Sequence, residues 1–258
     1  MSKLRVLDLF SGIGGFSLGL ERTNGFETVA FCEIEPFPRK VLAKHWPKVP
    51  IYDDVRTLTA ERLAADGIAV DVITGGFPCQ DISSAGNRTG IGEGTRSGLY
   101  SEIIRIAGYI RPKFIILENV AGLLSGPSEC RGGWFGRVLG DLAGIGYDAE
   151  WENIPASALG ASHRRERVWI IAYPCGFGSQ TLTNANGIFG KAFEIWNARR
   201  LSKVGSEGIW DTLRPIGAVP VELVNGLSGR LGEIKAYGNA VVPQIPELIG
   251  HAILESMK

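Results

Sequence analysis

The feature that most limits what this chain can fold into is a regular alternation of short apolar runs with helical patterns. Runs of strand length occur at Leu4–Phe10, Thr28–Cys32, Pro50–Asp54, Val70–Thr74 and Lys113–Leu117. Between them lie apolar residues at helical spacing: a pattern through Leu18, Leu20 and Glu21, then Phe37, Val41, Leu42 and His45 on a common side. Ala60–Ala65 and a stretch with Ile103, Ile104, Ala107 and Ile110 on its core side follow. A helical segment over Trp134–Leu142 and strands over Asp148–Ile154 and Val168–Ala172 continue the series. Strands alternating with helices predict an open α/β sheet covered on both faces. With 258 residues, 45% of them hydrophobic, the chain can bury the core of one large domain of this class.

Such sheets place ligands beyond the carboxyl ends of their strands, so the residues that end each run carry the functional information. The fourth run leads into Gly75-Gly76-Phe77-Pro78-Cys79-Gln80-Asp81. Proline immediately before a cysteine presents the thiol to a cleft; a small buried thiol beside a turn is the alternative. The glycine-rich segment Asp81–Arg96 reads as a lid over that cysteine. The first run enters Ser11-Gly12-Ile13-Gly14-Gly15-Phe16, where glycines permit close approach of a ligand. Their spacing differs from the dinucleotide pattern and Asp8 would repel a pyrophosphate, so a phosphate-free adenosyl ligand fits better.

Glu33 ends the second run, placed to accept from two ribose hydroxyls, or to serve as a capping or surface carboxylate. Asp54 ends the third, where an adenine amino group or ordinary turn chemistry would explain it. The fifth run delivers Glu118-Asn119-Val120 to the same edge as Cys79, and a buried carboxylate is costly unless it works or is paired. Arg165 and Arg167, at i and i+2 of a strand, point to one side. That alternation suits anchoring a base or phosphate, with pairing to surface acids as the alternative.

Formal net charge is zero, which argues against a general nucleic-acid binder. Between His163 and Arg214, however, eight Lys/Arg face four Asp/Glu, as a surface meeting phosphates or a solvated charge run would have. From Tyr173 to about Gly229 the periodicity breaks, and this segment, with Trp196 and Trp210, is expected to have little regular structure. A last helix with Ile245, Leu248, Ile249, Ala252 and Ile253 on one face should return to the main sheet. The expected division is therefore residues 1–173 with 230–258, and a small region at 174–229. No apolar run reaches bilayer-spanning length and the N-terminus enters a strand without a signal-peptide pattern. Cysteines at 32, 79, 130 and 175 lack metal-ligand spacing, so a reduced, intracellular setting is expected.

Taken in order, these stretches resemble the DNA cytosine-5 methyltransferases, most nearly the small prokaryotic and phage type. Phe77-Pro78-Cys79-Gln80 is similar to that family's nucleophile motif, Glu118-Asn119-Val120 to its acid motif and Asp8–Gly15 to its S-adenosylmethionine turn. Arg165-Glu166-Arg167 and Gly238-Asn239-Ala240-Val241 correspond to two further motifs. The resemblance implies a Rossmann-like S-adenosylmethionine-dependent methyltransferase fold, with a mostly parallel seven-stranded sheet containing one antiparallel strand. A small irregular target-recognition lobe would face it across a DNA-binding cleft.

The implied activity is methyl transfer from S-adenosylmethionine to carbon 5 of a flipped-out cytosine in DNA, through a covalent Cys79–cytosine intermediate. The resemblance makes Cys79, Glu118 and Arg165 catalytic, with Asn119 positioning Glu118. It lines the cofactor with Phe10, Gly12, Gly14, Glu33, Asp54, Pro78, Leu99, Asn239 and Val241. Gln80, Ser83, Arg164 and Arg167 would contact DNA, and no metal is implied. Double-stranded DNA is the implied partner of a monomeric enzyme in the cytoplasm of a bacterium or a phage's host, where a cognate restriction endonuclease could accompany it. His163 stands where many members have glutamine, and the recognition region is short for the family. A transfer-RNA cytosine-5 methyltransferase and a non-catalytic DNA-binding relative are the competing readings. The first suits the short recognition region; intact Cys79, Glu118 and Arg165 oppose the second.

Overall fold

The computed structural model describes residues 2–77, 99–126, 133–159, 165–177, 187–202 and 240–258. Seven strands form one sheet: β1 (Leu4–Leu9), β2 (Phe26–Cys32), β3 (Ile51–Tyr52), β4 (Val72–Gly76), β5 (Phe114–Val120), β6 (Tyr147–Pro155) and β7 (Glu166–Pro174). Their order is β3-β2-β1-β4-β5-β7-β6. β1 pairs in parallel with β2 and β4, as do β2 with β3 and β4 with β5, whereas β7 is antiparallel to both β5 and β6. This is the mostly parallel sheet with one reversed strand that the resemblance implied. The chain winds outward from β1 in one direction and from β4 in the other, so the sheet's switch point lies between these two strands. A ligand crevice opens at such a point.

Seven helices are described: α1 (Gly15–Glu21), α2 (Pro36–His45), α3 (Ala60–Ala65), α4 (Tyr100–Ile110), α5 (Gly133–Gly144), α6 (Ile188–Ser202) and α7 (Gln244–Ser256). The strands are apolar on both sides, and each side has its own core. Leu7, Leu9, Ile73, Ile115 and Leu117 pack with Leu63 of α3, Ile103 and Ile106 of α4, and Val138 and Leu142 of α5. Val6, Val72, Phe114, Ile116 and Trp169 pack with Phe16 and Leu20 of α1, Ile188 and Phe189 of α6, and Ile249 and Ile253 of α7. Fully burying a side chain such as Leu20 or Ile249 contributes about 1.5–3 kcal/mol. Close packing here depends on missing side chains: a Cβ on Gly19 of α1 would lie 2.1 Å from the Pro243 carbonyl oxygen just ahead of α7.

Four local features sharpen or change the expectations. β5 runs through Val120, so Glu118 and Asn119 at the end of the fifth run are held in the sheet. β3 is only Ile51–Tyr52, and Asp54 starts a short 3-10 turn by accepting from the Arg56 backbone N–H at 3.0 Å. His45, placed on the apolar side of α2, is exposed, because Pro38 and Leu42 carry that helix's buried face. The fourth concerns the segment 174–229. Residues 188–202 form a helix, with Ile188, Phe189 and Ala192 buried in the main core. Its first turn is capped from β6, where the Glu150 carboxylate accepts from Ile188 N–H at 2.9 Å and Phe189 N–H at 3.1 Å. These residues therefore belong with the sheet; residues 203–239, with the remainder of the expected recognition lobe, lie outside the described residues.

Candidate active site

Two loops and one strand meet at the switch point. The turn after β1 has three residues with positive φ: Phe10 (53°), Gly12 (53°) and Gly14 (86°). Glycine adopts this conformation freely, but at Phe10 it costs of order 1–3 kcal/mol, as strained backbone at functional sites does. The strain leaves the Phe10 ring half-buried against the α4 side of the sheet, the same core that Leu99 touches. Ser11 locks the turn: its hydroxyl donates to the Asp8 carbonyl at 2.5 Å and accepts from Cys32 N–H at 3.2 Å. Gly12 N–H donates to Glu33 Oε2 at 2.7 Å, and Glu35 N–H to Glu33 Oε1 at 2.8 Å. Glu33 is thus fixed at the end of β2. Burial raises its proton affinity, while the backbone N–H groups oppose that rise.

A Cβ on Gly12 would meet no atom of the described residues within 4 Å, so among them the turn leaves room beside the Glu33 carboxylate. Gly14 points the other way, where a Cβ would lie 2.7 Å from the Trp46 ring. The next strand end is adjacent, since Glu33 N–H donates to the Tyr52 carbonyl at 2.9 Å, two residues before Asp54. The Asp54 carboxylate is gripped by the Arg56 guanidinium at 2.6–3.1 Å, which holds it below the usual carboxylate range. Phe10, Gly12, Glu33 and Asp54 therefore share one edge, acidic and with room over Gly12. That lining fits a nucleoside carrying positive charge and no phosphate, as S-adenosylmethionine does.

Beneath the turn, Asp8 is wholly buried on β1. Thr74, its partner across the β1–β4 pairing, donates to Oδ1 at 2.7 Å, and Ser17 of α1 donates to Oδ2 at 2.9 Å. Burial pushes the Asp8 carboxyl up to about 7, and the two hydroxyl donors only partly oppose this. The carboxylate ties together β1, α1 and β4, whose continuation leads to Cys79. In the sequence Asp8 stands out as a repellent of pyrophosphate and as the first residue of the cofactor turn, whereas Thr74 and Ser17 carry no signal of their own.

The third component is β5. Glu118 lies directly across from Gly76, the last residue of β4, and a Cβ there would sit 3.4 Å from Glu118 Oε2. Arg167 of β7 forms an ion pair with Glu118 Oε1 at 2.8 Å. Burial raises the proton affinity of Glu118, and the charges of Arg167 and then Arg165 oppose that rise. Asn119, on the opposite face of β5, donates from Nδ2 to the Phe77 carbonyl at 3.1 Å and accepts from Val120 N–H at 2.9 Å. Its hydrogen bonds therefore hold the segment leading to Pro78 and Cys79, not the Glu118 carboxylate. Arg165 donates to the Ala240 carbonyl at 2.7 Å, bringing the start of β7 to the segment ahead of α7.

A family model described as C-5 cytosine-specific DNA methylase matches residues 4–198, three quarters of the chain and all seven strands. The chain belongs to this family. A Type II methyltransferase of Staphylococcus aureus, M.Sau3AI, is 35% identical over 214 residues, covering 76% of this chain and 52% of that protein. M2.BsuMI of Bacillus subtilis is 35% identical over 173 residues, covering 66% and 42%. The chain thus spans about half the length of the curated relatives it matches. Among solved structures, an Escherichia coli putative DNA modification methyltransferase encoded within a prophage superposes with a TM-score of 0.58 at 29% identity, covering 72% of this chain and 50% of that one. Spodoptera frugiperda DNMT2 shares the fold at 20% identity, with a TM-score of 0.55.

In this member of the C-5 cytosine-specific DNA methylase family, the structure gathers Phe10, Gly12, Glu33 and Asp54 along one rim and Glu118, Asn119, Arg165 and Arg167 at the adjoining end of β5 and β7. Val241 joins them from the α7 side: a Cβ on Gly15 would lie 2.5 Å from its carbonyl oxygen. Arg167, which the resemblance places on DNA, is paired with Glu118 in this structure. The alternation of Arg165 and Arg167 on one face was the available signal for a shared role. Pro78, Cys79, Gln80, Ser83, Arg164 and Asn239 lie outside the described residues, as do the lid expected at Asp81–Arg96 and His163. Among the described residues, no group of three or more His, Cys, Asp or Glu is arranged to hold a metal ion. No described helix is long and apolar enough to cross a membrane.

Proposed function

We propose that the protein methylates carbon 5 of cytosine in double-stranded DNA, using S-adenosylmethionine and Cys79 as the covalent nucleophile. The observation that carries the reading is the ion pair between buried Glu118 and half-buried Arg167 opposite the end of β4, three residues before Cys79 in the sequence. Glu33, with Gly12 and Phe10, would hold the adenosine of the cofactor; Pro78, Leu99, Asp54, Asn239 and Val241 complete its lining. Bound S-adenosylmethionine supplies the electrophilic methyl group that carbon 5 receives.

The chain's own residues make carbon 5 reactive. The Cys79 thiolate adds to carbon 6 of the base, forming a carbon–sulfur bond and shifting the ring electrons toward carbon 5 and nitrogen 3. Glu118, whose burial favours the protonated carboxyl, donates to nitrogen 3 and stabilises that charge. Arg167 limits how far the carboxyl is shifted and orients it. Once carbon 5 is methylated, a base removes its proton, the electron pair returns to the ring and the Cys79 thiolate leaves. A stacked cytosine offers no path for attack on carbon 6, so the base must be extruded, with Gln80 and Ser83 following into the gap.

The relatives' designation as Type II methyltransferases supports DNA over transfer RNA as substrate and a companion restriction endonuclease acting on the same site. Such a protein would act in the cytoplasm of a bacterium or of a phage's host, as a monomer. The recognition lobe would begin after α6. The deciding experiment incubates a diverse DNA pool with the protein and S-adenosylmethionine, reads methylcytosine at base resolution, and includes transfer RNA as control. Methylation confined to a short DNA motif is expected. Transfer to RNA alone would refute the DNA assignment.

A further inference from the structure

Arg165 reaches Ala240, 75 residues further along the chain, and also acts on Glu118 of β5. Its guanidinium donates to the Ala240 carbonyl at 2.7 Å, while its charge is felt by the Glu118 carboxylate. The segment it holds, Ala240–Pro243, lies on α1. Gly15 and Gly19 make that approach possible: Cβ atoms there would fall 2.5 Å from the Val241 carbonyl oxygen and 2.1 Å from that of Pro243. Gly15 directly follows the Phe10–Gly14 turn, so this segment closes the α1 side of the cofactor turn. The same arginine lies at the β7 end of the acid site.

We infer that Arg165 is a positioning residue that latches the Ala240–Pro243 segment against the cofactor turn, and that it thereby favours cofactor binding before any DNA is present. The inference rests on the proposed S-adenosylmethionine site and differs from a role for Arg165 on the target base. A base-contacting arginine has no task until a cytosine is flipped. A latch acts in the protein alone. Arg167, already paired with Glu118, is the arginine placed to serve the base side.

The test is S-adenosylmethionine binding to the full chain without DNA, by titration calorimetry, for wild type, Arg165→Ala and Arg165→Lys. Hydrogen exchange of peptides covering 240–248 accompanies it. Loss of a charge-assisted hydrogen bond that orders a segment should weaken cofactor binding in Arg165→Ala by roughly 10–100-fold. Exchange at 240–248 should quicken, while that of β5 stays unchanged. Arg165→Lys should fall between the two, because an ammonium lacks the fork that serves Ala240 and the acid side together. If Arg165→Ala does not fold, Arg165→Lys decides by the same two readouts. Wild-type affinity with unaltered exchange in a folded variant, alongside lost turnover on DNA, would overturn the latch and return Arg165 to the base. Wild-type protein that binds no S-adenosylmethionine would refute the proposed function instead, and the exchange comparison would still decide whether Arg165 holds the segment.

Discussion

The side-chain amide of Asn119 donates to the main-chain carbonyl of Phe77 at 3.1 Å, so the strand carrying the acid also holds the segment that leads to the nucleophile. Both groups are buried, so losing the bond carries the desolvation cost of an unsatisfied carbonyl. The two halves of the proposed chemistry are thereby fixed to one another across β4 and β5.

Asn119→Ala should therefore lower stability by about 1–3 kcal/mol, the penalty for leaving a buried carbonyl unsatisfied. Its effect on methyl transfer should fall on kcat, with S-adenosylmethionine affinity within a factor of about two of wild type, well below the tenfold of 1.4 kcal/mol. Denaturant unfolding and calorimetry measure the two quantities separately; equal losses in both would mean that Asn119 supports the whole site.

Glu118→Gln should reduce kcat by roughly 10²–10⁴-fold, the range for a missing general acid. The pH dependence has a definite sign. Glu118 holds its proton above the usual carboxylic range, so its donor form is lost as pH rises through the folded value. Arg167→Met removes the foremost charge opposing that shift and should carry the alkaline fall in kcat/KM to higher pH, at a lower maximum rate. A fall displaced to lower pH would be inconsistent with the observed ion pair.

Asp8 makes a prediction about stability. Its carboxyl rises from a usual 3.8 to about 7 on folding, so its contribution is complete below pH 3.8 and is lost as pH climbs toward 7. The full difference is about 4 kcal/mol at 1.36 kcal/mol per pH unit. In Asp8→Asn, the Thr74 and Ser17 hydroxyls can still donate to, or accept from, the amide. The stability of this variant relative to wild type should rise between pH 4 and 7 and then level off. Parallel curves for the two proteins would show that Asp8 titrates as it does in the unfolded chain.

Gly19→Ala tests the packing of α1 on α7. Its new methyl would fall 2.1 Å from the Pro243 carbonyl and 3.0 Å from both Glu247 N and Pro246 Cβ. Backbone cannot move aside as a flexible side chain can, so a loss of about 1–3 kcal/mol is expected from overpacking. Thermal unfolding checks it: an unchanged Tm would mean that α7 shifts freely on α1.

Much of this was legible because period and position are local properties. Apolar runs of strand length, each followed by glycine, acid or cysteine, gave the α/β class and the sheet edge where Gly12, Glu33 and Glu118 lie. What escaped was set by contacts between distant segments. The helix Ile188–Ser202 is hard to read because its apolar residues meet both β6 and α7, so they do not form a single stripe, and its cap, Glu150, comes from 38 residues away. Asp54 was legible as a carboxylate at a strand end; its capture by Arg56 depends on the turn's local geometry.

The sequence by itself determined the kind of sheet, the order of its motifs and the residue types offered to the site, since each follows from side-chain periodicity and from what ends a strand. The tertiary structure decided who is paired with whom. It put Arg167 on Glu118, Asn119 on Phe77, Arg165 on Ala240, and Thr74 with Ser17 on Asp8. Alternation along a strand tells which face a side chain takes, but only strand order and register determine what it meets there. The proton affinities of Glu118 and Asp8 follow from that neighbourhood, because burial and nearby charge are properties of the assembled sheet.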